Sequence, residues 1–299
     1  MKRKRRIKES RGDRLFMVLL YILLVCCVAV FVYPLYFVII ASFSEPATIY
    51  RGEVLFWPKE VMLDGYEQIF ADSTIWIGYR NSIFYTVAGT LISLGATLPA
   101  AYALSRKDLV GRRIFMFFIT VTMFFSGGLI PTYLVVEKLQ LVDTVWAVLL
   151  TAAVSAWNLV LARTFFETTI PSELLEAAQI DGCNNTRFFL RVVLPLSGSL
   201  IAIMALFYGV GQWNSYFKEM MYLSNSSRYP LQLVLRGILT KNTLPITMVS
   251  QIQGIAKKQQ LADLIKYGLI VVSSIPVMVA YPFVQKYFVK GVFVGSIKG

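Results

Sequence analysis

The stretch Glu176-Ala177-Ala178-Gln179-Ile180-Asp181-Gly182, with Leu194-Pro195 twelve residues beyond the glycine, is a polar, patterned island in a chain otherwise made of apolar runs. It is too short and too polar to cross a hydrocarbon core, which takes about 20 apolar residues. Strong membrane-spanning candidates lie immediately before and after it, so it is expected at a membrane surface.

Composition supports that placement. Of 299 residues, 57% are hydrophobic and 14% aromatic, well above the roughly 45–50% apolar share of a soluble domain. An integral membrane protein with no sizeable soluble domain is expected. The net charge of +12 falls almost entirely between the apolar runs, which reports orientation rather than a nucleic-acid partner. Cys26, Cys27 and Cys183 form no C-x-x-C pair and there is no histidine, so neither a disulfide framework nor a zinc or other metal site is expected.

Working along the chain, a basic N-terminus (1–14) precedes Leu15 to Ser44, thirty residues without a charge. That run exceeds the 7–15 residues of a signal-peptide core, and no small-residue cleavage site closes it, so a retained first helix is expected. Further spans are expected at about 81–105, 114–136, 144–162, 192–217 and 267–285. Within the third, Ser126-Gly127-Gly128 and Pro131 interrupt the apolar pattern, tolerable where neighbours or water satisfy the freed backbone groups. Residues 45–80 and about 218–266 are external connections.

Six spans with the N-terminus inside place 1–14, 105–113, the loop 163–191 and the tail 286–299 in the cytoplasm. Those segments carry 18 bases and seven acids, against 11 and ten outside. The reverse topology would violate the positive-inside rule.

The expected spans hold no Asp, Glu, Lys or Arg, the costly groups that ion-coupled carriers keep within the membrane. No G-x-x-x-x-G-K-[ST] phosphate loop is present either. No catalytic residue and no bound cofactor are expected in this chain, and energy for active transport would have to arrive through a partner. The exposed island is the surface for it.

In that island Pro171 suits a first helical turn and Glu173 the positive end of the dipole. Leu174, Ala177, Ala178 and Asp181 follow i, i+3, i+4, i+7 spacing, a face whose two alanines permit close approach. Gly182 suits a left-handed stop, and Asn184, Asn185 or Thr186 a second N-cap. That second helix runs through Phe188 and Phe189 to Leu194-Pro195, at the mouth of the fifth span. Glu-Ala-Ala alone fits an amphipathic connector at the interface better than a docking element.

The whole pattern is more specific: E-A-A, three residues, Gly182, nine residues, Val192, one residue, Leu194-Pro195. It resembles the signature loop of ABC importer permeases, and lies between the penultimate pair of spans as it does there. The resemblance covers nearly the whole chain and narrows to MalG-like, and more closely LplC-like, permeases of carbohydrate importers. It is carried also by Ala101-Tyr102-Ala103-Leu104-Ser105-Arg106, FFSGGLIPTY over 124–133, Gln212-Trp213-Asn214, Tyr229-Pro230-Leu231-Gln232 and the ending from Tyr281-Pro282-Phe283 to Lys298-Gly299. Cys183 and Val192 depart from the usual residues only conservatively.

The resemblance implies an all-α membrane protein of the type I ABC importer (MetI-like) permease fold, with six transmembrane helices and cytoplasmic termini. It implies a bacterial cytoplasmic-membrane protein that imports a carbohydrate, an oligosaccharide by expectation. The implied partners are a second, homologous permease, two ATPase subunits that bind ATP and magnesium, an extracytoplasmic sugar-binding protein, and membrane lipid. Glu173, Glu176, Ala177, Ala178, Asp181, Gly182, Leu194 and Pro195 would couple to the ATPase. Gly295, Lys298 and Gly299 would reach toward it in the tail, and Thr243 to Gln251 would enter the binding protein.

Trp157, Asn158, Gln212, Trp213, Asn214 and Tyr216 combine aromatic faces with polar groups suited to sugar rings and hydroxyls. The same residues equally serve as helix-linking amides or interface aromatics. The competing function classes are an ion-coupled secondary carrier and a non-transporting sensor or assembly subunit.

Overall fold

In the computed structural model, which describes residues 10–241 and 255–296, every regular element is a helix; the only bridge among them joins Ser44 to Val61. The chain divides into two units: one runs to Ala71 and takes the last helix as far as Val272, and the other starts at Asp72 and takes that helix from Ser273.

In the first unit, α1 (Arg11–Ala41) opens with a capping box: Ser10 Oγ accepts from Asp13 N–H, and the Asp13 carboxylate accepts from Ser10 N–H, each at 3.1 Å. As far as Leu35 its apolar residues face outward all round, as a helix does when its solvent is lipid or another subunit; Ile40 and Ala41 at its end are buried. The helix stops at Ala41, three residues before the expected Ser44, because the Ser42 and Ser44 hydroxyls turn back to the Ile39 and Ile40 carbonyls. A short α2 (Pro46–Tyr50) and α3 (Asp64–Ala71) follow. Glycines permit close approach of α3 to the last helix: a Cβ on Gly65 would lie 3.0 Å from Leu264 Cβ, and one on Gly268 2.8 Å from Ile69 Cδ1. Tyr50 donates to Asp263 at 2.6 Å, and Lys266 donates to the other carboxylate oxygen at 2.9 Å.

The second unit is built around α4 (Ser73–Ser105), which starts within the expected external segment and includes Arg80. Asp72 caps it, accepting from Thr74 N–H at 2.7 Å. The expected third span is two helices, α5 (Arg112–Phe124) and α6 (Leu129–Lys138), bent by 117° at the Ser-Gly-Gly break. At 1.5 Å per residue neither reaches the ~30 Å needed to cross alone. The expected fourth span, 144–162, is likewise broken into α7 (Val145–Leu150) and α8 (Ala156–Thr169). Thr144 and Ser155 cap the two pieces, so a capping serine in an apolar run starts a new helix where composition alone shows one.

Next come α9 (Ser172–Ile180) and α10 (Asn185–Leu196), which contains a π turn over Phe189–Val193. The path then bends by 83° into α11 (Gly198–Trp213). Pro195, which lacks an N–H, and Ser197, whose hydroxyl bonds the Val193 carbonyl at 2.7 Å, mark the bend. Beyond it lie α12 (Phe217–Tyr222), α13 (Leu231–Lys241) and α14 (Ile255–Ser296).

Among the described residues three helices are long and apolar enough to cross a membrane, and the two bent pairs raise that to five. The last helix runs continuously from Ile255 through Ser296, well outside the expected 267–285.

Candidate functional site

The loop from Arg163 onward is helical at first, because α8 continues to Thr169 and carries Arg163 within it. Pro171 then stands as the N-cap of α9, with ψ 143°, one position outside the expected first turn. The far end is as anticipated. Gly182 takes φ +72°, its N–H donates to the Gln179 carbonyl at 3.0 Å, and Cys183 N–H donates to the Ala178 carbonyl at 2.8 Å. That is a left-handed stop satisfying the helix's last carbonyls. Asn184 caps the next helix, accepting from Arg187 N–H at 2.8 Å.

Beneath α9 lies an apolar cluster. Phe188, Phe189 and Val193 on α10 are buried with Phe166 on α8 and Tyr102 on α4; Tyr102 stacks on Phe189 at 5.1 Å and meets Phe166 edge-on at 6.0 Å. Leu175, Ala178 and Cys183 pack down on this cluster. Ala178 is therefore turned inward rather than shared with the outer face. Leu174, Ala177 and Asp181 are exposed, together with Glu173, Glu176 and Ile180, which is 87% exposed. Leu194 is half-buried against the same cluster and Pro195 is exposed at the bend.

Charged contacts tie the loop to α4 and α5. Arg106 forks onto Asp108 at 2.8 and 2.6 Å, and reaches the Tyr102 hydroxyl at 3.1 Å and Asn185 Oδ1 at 3.2 Å. The guanidinium holds the Asp108 carboxyl below its usual range. Glu167 accepts from Arg112 and, at 2.7 Å, from Arg163, whose Nε donates to the Leu104 carbonyl at 3.1 Å. Between this network and the start of α9 opens a cavity of about 870 Å³, of mixed polar and apolar lining, that Glu173, Glu176 and Gln179 help to line.

The sugar-pathway candidates separate into two groups. Asn158, Gln212 and Trp213 are buried. Trp213 donates from Nε1 to the Ser273 carbonyl at 3.1 Å, and Gln212 Oε1 accepts from Lys218 at 2.6 Å while its amide lies where a Cβ on Gly89 would stand. These side chains join helices. Trp157, Asn214 and Tyr216 are exposed.

Two features escaped the sequence reading. One is the adjacent pair Lys218 and Glu219, with Glu219 only 1% exposed and accepting from the Ser215 hydroxyl at 2.8 Å; Lys218 also reaches the Val148 carbonyl at 3.3 Å. Opposite charges side by side in the run FKEMMYL are the signal that was available. The other is Arg236, whose guanidinium lies 4.9 Å over the Tyr216 ring, and nothing local in the sequence pairs these two.

Gly295 lies in α14, whereas Lys298, Gly299 and the Thr243 to Gln251 segment fall outside the described residues. No three His, Cys, Asp or Glu side chains gather among the described residues as a metal would require.

No protein-family model matches the chain. Individual proteins do. The polygalacturonan/rhamnogalacturonan transport system permease protein YtcP of Bacillus subtilis (strain 168) is 41% identical over 288 residues, covering 96% of this chain and 99% of the relative. The chain belongs to the permeases of carbohydrate ABC importers. Protein LplC of the same organism is 39% identical over 271 residues, covering 91% of this permease and 90% of that protein. In the crystal structure of a bacterial ABC transporter involved in the import of the acidic polysaccharide alginate, one chain superposes with a TM-score of 0.87 at 33% identity, over 95% of this permease and 100% of that chain.

Proposed function

We propose that this permease is one membrane-spanning half of an ATP-driven importer for an oligosaccharide in a bacterial cytoplasmic membrane, with α9 as the element that docks on a separate ATPase. The observation that carries the docking role is the presentation of α9: a helix closed by Gly182, seated on an aromatic cluster, with Leu174, Ala177, Ile180 and Asp181 facing out. The chain crosses the membrane six times with both termini in the cytoplasm, a topology supported by the asymmetry of basic residues. A second, homologous permease completes the pathway, two ATPase subunits bind ATP and magnesium, and an extracytoplasmic binding protein delivers the sugar. This chain does no chemistry.

Binding of ATP closes the ATPases, drives the docked helices together and favours the outward-facing permease pair; hydrolysis reverses the preference. The substrate class is an oligosaccharide of acidic sugars, because polygalacturonan and alginate, in the names of two similar proteins, are both built from uronic acids.

Proteoliposomes holding this chain, its partner permease, the ATPase and the binding protein should accumulate trigalacturonate only with ATP and only with the ATPase present. Uptake that persists without the ATPase and collapses with the proton gradient would establish an ion-coupled carrier. That reading draws on one structural observation, the buried Glu219 beside the half-buried Lys218, but these groups are committed to Gln212, Ser215 and each other. Hydrolysis of ATP with no sugar movement would point to a sensor subunit instead.

A further inference from the structure

We infer that Tyr216 and Arg236 form a contact site for the carboxylate-bearing ring of an acidic sugar, an inference that rests on the substrate class proposed above. The two side chains come from different elements: Tyr216 immediately precedes α12, and Arg236 is on α13. The guanidinium lies 4.9 Å from the ring centroid, and one of its nitrogens rests against Met220 Sδ. Leu231, Leu233, Leu235 and Ile238 are buried along α13, and the α-carbon of Leu231 comes within 3.1 Å of where a Cβ on Gly78 would stand. That packing on α4 fixes the direction in which Arg236 projects.

Among the described residues Arg236 forms no ion pair. Every ion pair among the described residues uses other cations. The stretch that follows, 241–261, contains no acidic residue and three lysines. A partly buried guanidinium held over an aromatic face, with no carboxylate partner among the described residues, is a fork whose geometry matches an incoming carboxylate in two-point fashion. The tyrosine supplies the second half of the recognition. Tyr216 is 39% exposed, and Asn214 beside it is exposed as well, so an aromatic surface for an apolar sugar face and an amide partner for hydroxyls adjoin the cation. A neutral sugar would use the ring and the amide but leave the guanidinium unanswered.

The test is uptake by the complete transporter in phosphatidylcholine proteoliposomes, comparing trigalacturonate with its methyl ester, which is neutral. Arg236→Gln is expected to raise the trigalacturonate concentration for half-maximal uptake about tenfold, the worth of one charge-assisted hydrogen bond. Arg236→Lys should show a smaller rise, because the charge stays but the fork is lost. The methyl ester should be carried equally well by all three proteins, which also controls for folding and assembly.

An equal loss on both sugars, or no loss on either, overturns the inference. So does a loss that appears only when anionic lipid is added, since the site would then belong to a lipid headgroup. Failure of the unaltered transporter to take up trigalacturonate would overturn the substrate class, and this site with it. Normal uptake that is indifferent to Arg236→Gln would overturn the site alone.

Discussion

Replacing Gly182 by residues of graded tolerance for left-handed backbone separates what the end of α9 does from what its surface does. The glycine has φ +72°, and a Cβ built there meets nothing within 4 Å. Substitution therefore costs only backbone energy, about 1–2 kcal/mol for an L-residue held left-handed, and less for asparagine, which visits that region readily. Such a cost matters at this place. A nine-residue helix is not stable alone, and α9 has no fully buried side chain, so its seating rests on the half-buried Leu175 and Ala178 and on its two caps. Losing 1–2 kcal/mol changes the ratio of closed to frayed helix by roughly 5- to 30-fold.

The expected order is therefore Gly182→Asn close to unaltered, Gly182→Ala impaired and Gly182→Val most impaired. Two measurements follow it: ATP-driven uptake in proteoliposomes, and hydrogen exchange at the amides of Gly182 and Cys183, whose bonds to Gln179 and Ala178 close the helix. ATPase hydrolysis should fall less than uptake, because under the proposed docking role the outer surface of α9 is unchanged in composition. Equal uptake and equal exchange in all three variants would refute the reasoning, since the left-handed stop would then be dispensable.

Lys218→Met should be strongly destabilising, by about 3–5 kcal/mol, because it strands the nearly inaccessible Glu219 carboxylate; thermal unfolding of the purified protein would show the loss, and Lys218→Met combined with Glu219→Gln should recover most of it. Asp143 accepts from the backbone N–H groups of Ser224 and Asn225 and lies 3.4 Å from Arg228, which lowers its pKa from the ordinary 3.8. A depressed carboxylate contributes stability that is present above its unfolded pKa and lost as pH falls through the folded one. Thermal stability measured from pH 6 down to below 3.8 should consequently drop more steeply for the unaltered protein than for Asp143→Asn, and parallel curves would discount the anchor.

The features legible in the sequence were those written in a residue's own backbone chemistry. Pro171 and Gly182 bound α9, and Asn184 opens α10, within a position of where their preferences put them, because caps are local devices. The break at Ser126-Gly127-Gly128 was visible for the same reason. The break at 151–155 was not: Thr-Ala-Ala-Val-Ser is as apolar as its surroundings, and hydropathy counts transfer energy without registering where a chain stops being a helix. Orientation was the other blind spot. Gln212 and Trp213 point into helix contacts while Asn214 points out, a division set by Gly89 and the last helix, far off in sequence. Lys218 and Glu219 were read as external because they follow the apolar run, and only packing reveals that Glu219 is buried and Lys218 half-buried.

Three ties join α9 and its flanks to the last turn of α4, and all end within five residues of one another. Tyr102 stacks on Phe189, Leu104 receives Arg163 at its carbonyl, and Arg106 reaches Asn185. A force applied to α9 therefore arrives at the end of a 33-residue helix rather than dissipating in a surface loop. Further along α4, glycines stand at its contacts: Gly89 against Gln212 on α11, and Gly78 against Leu231 on α13. At such separations close-packed helices shift together or not at all. Under the importer reading, the ATPase thus acts on α4 and, through it, on the helices that carry Gln212 and Arg236. On that reading the contacts of Arg106 with Asn185 and of Glu167 with Arg112 and Arg163 hold the flanks of α9 to the ends of α4 and α5, a link that the exposed signature residues do not make by themselves.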